Sequence, residues 1–277
     1  MNTHANKTTH GWILIAIVLL FVALVLGIYV WKKQTRPIVG RDNCVYEDAQ
    51  LSRRKPSDYT VIIVDQSETL SDSHKRQVTS KLFDYLADDN LLPVGSVVML
   101  YVFGKNDFVK AGAGQKLAPN PFLCKPASTG NEITENARKI SRVFHNQFVV
   151  PMNAAIGQSL EPALGERSPI LEMIQYVSRS QDIKEEIGGK HKKTLIIVSD
   201  LLQHSEQFSH YKNWTYEQFA ASAGQLLRAD LRGWDIRLLY LQRYGQDRQL
   251  QSKNQFEFWE RYFYDSGAKI VAADRIP

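Results

Sequence analysis

Residues 60 to 69 read Thr-Val-Ile-Ile-Val-Asp-Gln-Ser-Glu-Thr, and the fold turns on them. Thr60–Val64 is a short β-branched run with no polar face, which predicts a buried strand. Strands of that kind belong to parallel sheets covered by helices on both faces. Asp65, Ser67 and Thr69 follow at alternate positions as the chain leaves the strand, so a looped segment can turn all three oxygens inward. In open α/β sheets, function collects at the carboxyl ends of the strands.

The same alternation continues outward. Ser73–Asp89 predicts a helix with Val78, Leu82, Tyr85 and Leu86 on one face. Val97–Phe103 is a second strand. Gly104–Thr134 is rich in Gly, Pro, Asn and Ser and predicts an irregular insertion with room for one hairpin strand. Asn136–Phe148 and Pro169–Arg179 predict helices, and Thr194–Val198 a third buried strand. Tyr216–Arg232 predicts a long amphipathic helix ended by Gly233. Ile236–Leu241, a helix at Gln255–Asp265 and a short strand at Lys269–Ala272 complete the chain. Strands separated by helices predict a doubly wound, mostly parallel, Rossmann-like α/β sheet over residues 59–277.

Two further segments fall where that sheet would deliver them to Asp65. Ser199-Asp200 follows the third buried strand, and Ser168 stands directly before Pro169 at a predicted helix start. Two carboxylates and three hydroxyls are hard oxygen donors, the set that Mg²⁺ prefers. Each part also has a purely structural use. Asp65, Ser67 and Ser168 suit helix caps, and Asp200 could simply end a strand.

Together these residues resemble a von Willebrand factor A-like domain with a metal-ion-dependent adhesion site. Asp65, Ser67 and Thr69 are similar to that family's Asp-x-Ser-x-Ser motif, with Thr last. Ser168-Pro169-Ile170 resembles its Thr-Pro-Ile loop, and Asp200 its strand-end Asp, with Leu201 in place of the usual Gly. The resemblance is to a bacterial, membrane-anchored branch with a divergent site. It implies Mg²⁺ or Mn²⁺ held by Asp65, Ser67, Thr69, Ser168 and Asp200, a shell completed by an acidic side chain of a protein partner, and binding in place of catalysis. Glu68 adds negative charge beside the site.

Before the sheet, Gly11–Trp31 carries no charged residue. At ~1.5 Å per residue its helix reaches about 31 Å, the thickness of a bilayer core. Trp12, Tyr29 and Trp31 sit at the ends, as interfacial rings do. A cleaved signal peptide would need a shorter core, a basic start and a small-x-small site. Bulky Ile28, Tyr29, Val30 and Trp31 follow Gly27 instead. The expected organisation is a tail (1–10), a single transmembrane helix (11–31), a tether (32–58) and the α/β domain (59–277). Lys32, Lys33, Arg36 and Arg41 follow the span and only Lys7 precedes it. The positive-inside rule therefore favours a cytoplasmic domain. Cys44 and Cys124 are the only cysteines; outside the cytoplasm they could pair, and spacing alone leaves that open.

Composition agrees with a globular domain plus an anchor. The 277 residues are 44% hydrophobic and 23% charged, which excludes a disordered chain. Two cysteines cannot build a disulfide scaffold or a four-cysteine zinc site. The net charge of +5 owes much to the tether, including Arg53, Arg54 and Lys55, so no nucleic-acid partner is expected. Gly112–Lys116 lacks phosphate-loop spacing, and no Gly-x-Ser-x-Gly elbow occurs. The string from Asp65 lacks the second Asp that aspartyl phosphatases need. The expected function is a membrane-anchored, non-enzymatic module that docks a protein through a divalent-metal site. The alternatives are a scaffold with a vestigial site and a membrane-anchored, metal-dependent hydrolase.

Overall fold

The computed structural model describes residues 5–34, 37–48, 50, 54–67, 69–104, 117–129, 136–162, 165, 167–180, 183, 191–212 and 214–277. The chain divides into two units, residues 1–38 and 39–277.

The first unit is one helix, α1 (Ala5–Gln34). It begins before Gly11 and passes Trp31, so the expected span is the middle of a longer helix. Its described side chains, Ile15 to Trp31, are all exposed. Among the described residues no helix is long and apolar enough to cross a membrane.

The second unit is built on six strands: β1 (Tyr59–Asp65), β2 (Val97–Phe103), β3 (Phe122–Cys124), β4 (Lys193–Ser199), β5 (Trp234–Leu241) and β6 (Lys269–Ile276). Their order is β3-β2-β1-β4-β5-β6. All neighbours are parallel except β3, which lies antiparallel on β2 at the edge. Every residue of β1 is buried, as its unbroken apolar run requires. Odd and even positions serve different layers because strand side chains alternate. Val61 and Ile63 join Ile197 and Leu238 beneath α5 (Ile170–Arg179) and α8 (Lys253–Asp265). Ile62 and Val64 join Leu100 and Val198 beneath α2 (Asp72–Ala87) and α4 (Val150–Ser159).

Several expectations need correction. The helix expected through 136–148 is α3 (Ala137–Phe144) followed by a π turn, His145–Val149, and then α4. Pro151 explains the turn: it offers no N–H and its ring crowds the carbonyl four residues back, so the coil widens. The long helix expected to reach Arg232 stops early, as α6 (Tyr216–Ser222) and α7 (Gly224–Leu227). Beyond it the chain extends, which lets alternate residues Ala229 and Leu231 enter the core. Gly233, at φ +76°, makes the turn into β5 rather than ending a helix.

The segment expected as a tether is, from Val39, part of the folded unit. Cys44 is buried and disulfide-bonded to Cys124 on β3. Lys55 N donates to Val45 O at 2.7 Å. Most of the expected insertion, at 105–116 and 130–135, and Arg53 lie outside the described residues, but its hairpin strand is present as β3.

Candidate functional site

The strand order reverses direction on either side of β1 and β4, whose chain neighbours lie on opposite sides. This topological switch opens a crevice at the strands' carboxyl ends. Asp65 ends β1 and Ser199-Asp200 ends β4, with Val64 paired to Val198. The sheet alone therefore brings the two carboxylates together, across 135 residues of sequence.

Asp65 is buried and both of its carboxylate oxygens accept hydrogen bonds. Oδ1 accepts from Ser67 N at 3.0 Å; Oδ2 accepts from Ser168 Oγ at 2.5 Å and Ser199 Oγ at 2.9 Å. The capping alternatives fail here. The cap of α2 is Ser71, whose hydroxyl accepts from His74 N at 3.1 Å. At α5 the Ser168 hydroxyl caps nothing; Leu171 N is satisfied by Gln203 Oε1 at 2.9 Å. Ser168 is instead held by a two-way backbone bridge to His204, at 3.0 and 2.8 Å. Its hydroxyl is thereby aimed at Asp65.

The loop after β1 is pinned from two sides. Gln66 N donates to Phe103 O at 2.7 Å, and Gln66 Nε2 reaches the carbonyls of Ser159 and Glu161 at 3.0 and 3.1 Å. Gly104, at φ +130°, lets β2 end against this loop: a Cβ there would stand 2.7 Å from Ser67 N. No other residue type fits that approach.

Asp200 is equally enclosed. Its Oδ1 accepts from Leu202 N at 2.8 Å and its Oδ2 from Arg243 Nε. Burial, then the charge of Asp65, push its carboxyl up to about 7, against the pull of Arg243. Leu201 has φ +59°, a conformation that glycine adopts freely and leucine does not. Its buried carbonyl accepts from Trp259 Nε1 at 2.8 Å and Gln255 Nε2 at 2.6 Å, so α8 holds the turn that a glycine would make unaided.

Between these groups lies a cavity of about 130 Å³, lined by Asp65, Ser67, Thr69, His74, Asp200 and Arg243 among others. Thr69 is exposed at its edge. Glu68 lies outside the described residues. The donor chemistry fits a hard divalent ion in one respect: Ser67 Oγ is buried with no hydrogen-bond partner among the described residues. It opposes one in another, since Asp200 already carries a guanidinium. Among the described residues no three His, Cys, Asp or Glu side chains converge on a metal position, so the set is two carboxylates and hydroxyls.

Of the residues expected from the sequence, Asp65, Ser67, Thr69 and Asp200 line the cleft and Ser168 bonds Asp65. The cleft also draws on Ser199, Arg243, His74, Tyr244 and Gly104, none of them in the expected donor set. Ser199 was detectable as a hydroxyl beside a strand-end Asp. The others reach the cleft from the ends of β5 and β2 and the start of α2, which no local pattern announces. Tyr244 stacks on His74 at 5.7 Å. Burial lowers the His74 pKa, and its Nε2 has no partner among the described residues.

No family model and no curated protein matches the chain. A search of solved structures finds the conserved hypothetical protein BatB from Bacteroides thetaiotaomicron, 13% identical, with a TM-score of 0.40, covering 79% of this chain and 91% of that one.

Proposed function

We propose that the protein is a membrane-anchored, von Willebrand factor A-like binding module whose cleft docks a partner protein through a divalent ion. One observation carries this reading: Asp65, Ser67, Ser168 and Asp200, scattered over 136 positions, converge at the switch point of a parallel sheet. Ser168 bonds Asp65 there, and a buried Ser67 hydroxyl has no partner among the described residues. Asp65, Ser67, Ser168 and Asp200, with Thr69 at the rim, would hold Mg²⁺ or Mn²⁺. Such an ion, when bound, supplies a positive centre for an acidic group of the partner. The chain's own groups orient the donors: Ser199 and Ser168 fix Asp65, and Leu202 N fixes Asp200.

The anchor reading is supported by the uncharged Gly11–Trp31 run and by the exposed apolar side chains along α1. The Cys44–Cys124 disulfide supports an oxidising compartment for the domain. For a bacterial inner membrane that is the periplasmic side, the reverse of what the flanking charges favour. A vestigial site is the second reading, favoured by the Arg243–Asp200 pair.

The test is capture of partners by the full-length protein from membranes, with Mg²⁺ and with EDTA. The expected result is a partner retained only with Mg²⁺ and lost in Asp65→Ala. A partner held equally in EDTA would support the vestigial reading.

A further inference from the structure

Both oxygens of Asp200 are committed, one to Leu202 N and the other to the guanidinium of Arg243. Arg243 is itself enclosed, its side chain 11% exposed. One residue ties this arrangement together. Gln251 Oε1 accepts from Arg243 N at 2.7 Å, while its Nε2 donates to Leu241 O at 2.7 Å and to the Asp200 carbonyl at 3.0 Å. The backbone at the end of β5 is thus fastened to the residue whose carboxylate Arg243 neutralises. The next side chain, Tyr244, packs on His74 in the first turn of α2 and closes the same wall.

A guanidinium and a divalent ion compete for that carboxylate oxygen. Each is a cation seeking the same lone pairs, and in a buried space their mutual repulsion is poorly screened. The gain to either is large only when the other is absent, because two adjacent buried carboxylates need some counter-charge.

We propose that Arg243 is the cleft's resident cation: its guanidinium holds Asp200 while no divalent ion is bound, and an ion enters only when that side chain swings off. The proposal rests on the reading that this cleft takes a divalent ion. Arg243 then sets the ion concentration at which the cleft loads. Because Gln251 clamps the backbone, the movement is confined to the side chain and to the neighbouring Tyr244–His74 wall.

The test is Mg²⁺ titration of the full-length protein in detergent by calorimetry, with melting curves in EDTA and in Mg²⁺. Arg243→Gln should bind Mg²⁺ at least tenfold more tightly than the wild type. In EDTA at pH 8 it should melt lower than the wild type, and Mg²⁺ should restore it. Arg243→Lys keeps the charge without the planar fork and should fall between the two. Equal affinity of Arg243→Gln and the wild type would overturn the proposal and leave the metal reading standing. If Arg243→Gln does not fold, a Lys variant with wild-type affinity overturns it. Absence of Mg²⁺ binding in every protein would overturn the metal reading and the proposal with it.

Discussion

Lys125 and Arg243 are both enclosed cations, and their surroundings differ in an instructive way. Lys125 has no exposed side-chain surface, yet its ammonium donates to Leu92 O at 2.8 Å and pairs with Asp89 Oδ1 at 2.8 Å. The Asp89 side chain is 49% exposed and keeps its water. One charge meets one charge, and the carbonyl is satisfied. The cleft instead holds two buried carboxylates against one guanidinium, with Ser67 Oγ and His74 Nε2 unpartnered among the described residues. A structural ion pair balances charge and hydrogen bonds locally. The cleft leaves negative charge in surplus, which costs stability.

Breaking the structural side should hurt most. Cys124 precedes Lys125, and its bond to Cys44 closes a separation of 80 residues. Reduction, or Cys44→Ser, should cost about 4.5 kcal/mol by the loop-entropy relation. Urea unfolding with and without reductant measures this, and the response to Mg²⁺ should survive in the folded fraction.

Acid tests a third buried group. His210 sits among Phe208, Phe258 and Trp259, its Nδ1 accepting from Gln203 N at 3.0 Å. Burial pushes its pKa down to about 4. The unfolded chain takes up this proton near pH 6.5 and the folded one only near 4. The contribution is therefore complete above pH 6.5 and lost as pH falls through 4, about 3 kcal/mol in all. His210→Asn keeps an acceptor and should flatten that part of the stability–pH curve.

Lys125→Met should cost about 2 kcal/mol, chiefly by stranding the Leu92 carbonyl. Asp89→Asn should cost under about 1 kcal/mol, because the partner is half hydrated. Equal losses for the two would mean that the pair, not the carbonyl, is what matters.

The smallest effect should come from the cleft. Asp65→Asn in EDTA removes one of two adjacent carboxylates and should change stability by under about 1 kcal/mol, while abolishing any Mg²⁺-induced rise in melting temperature. A loss as large as that of Lys125→Met would show Asp65 to be mainly structural and erase the contrast.

Much of this was legible before folding. The strand at Val97–Phe103 matches residue for residue, and the other main strands differ by a few residues at their ends. Long buried strands announce themselves because every side chain must be apolar. The five expected site residues lie at strand ends or loops, where a polar residue interrupts such a run. The Tyr216–Arg232 helix was misread because its apolar spacing persists past Leu227, where Ala229 and Leu231 are buried from extended chain instead. The segment 39–58 shows no periodicity that would place it with the sheet; its tie to the folded unit is the long-range Cys44–Cys124 bond.

By itself, then, the sequence determined the order of strands and helices, the uncharged N-terminal run and the strand-end carboxylates, since these follow from local periodicity and burial. Only the tertiary structure decided that Ser168 serves Asp65 rather than a helix, that Leu201 keeps a glycine-like turn, and that Arg243 sits on Asp200. Those outcomes depend on which strands neighbour one another, an order set by contacts between residues far apart in the chain, which no local pattern encodes.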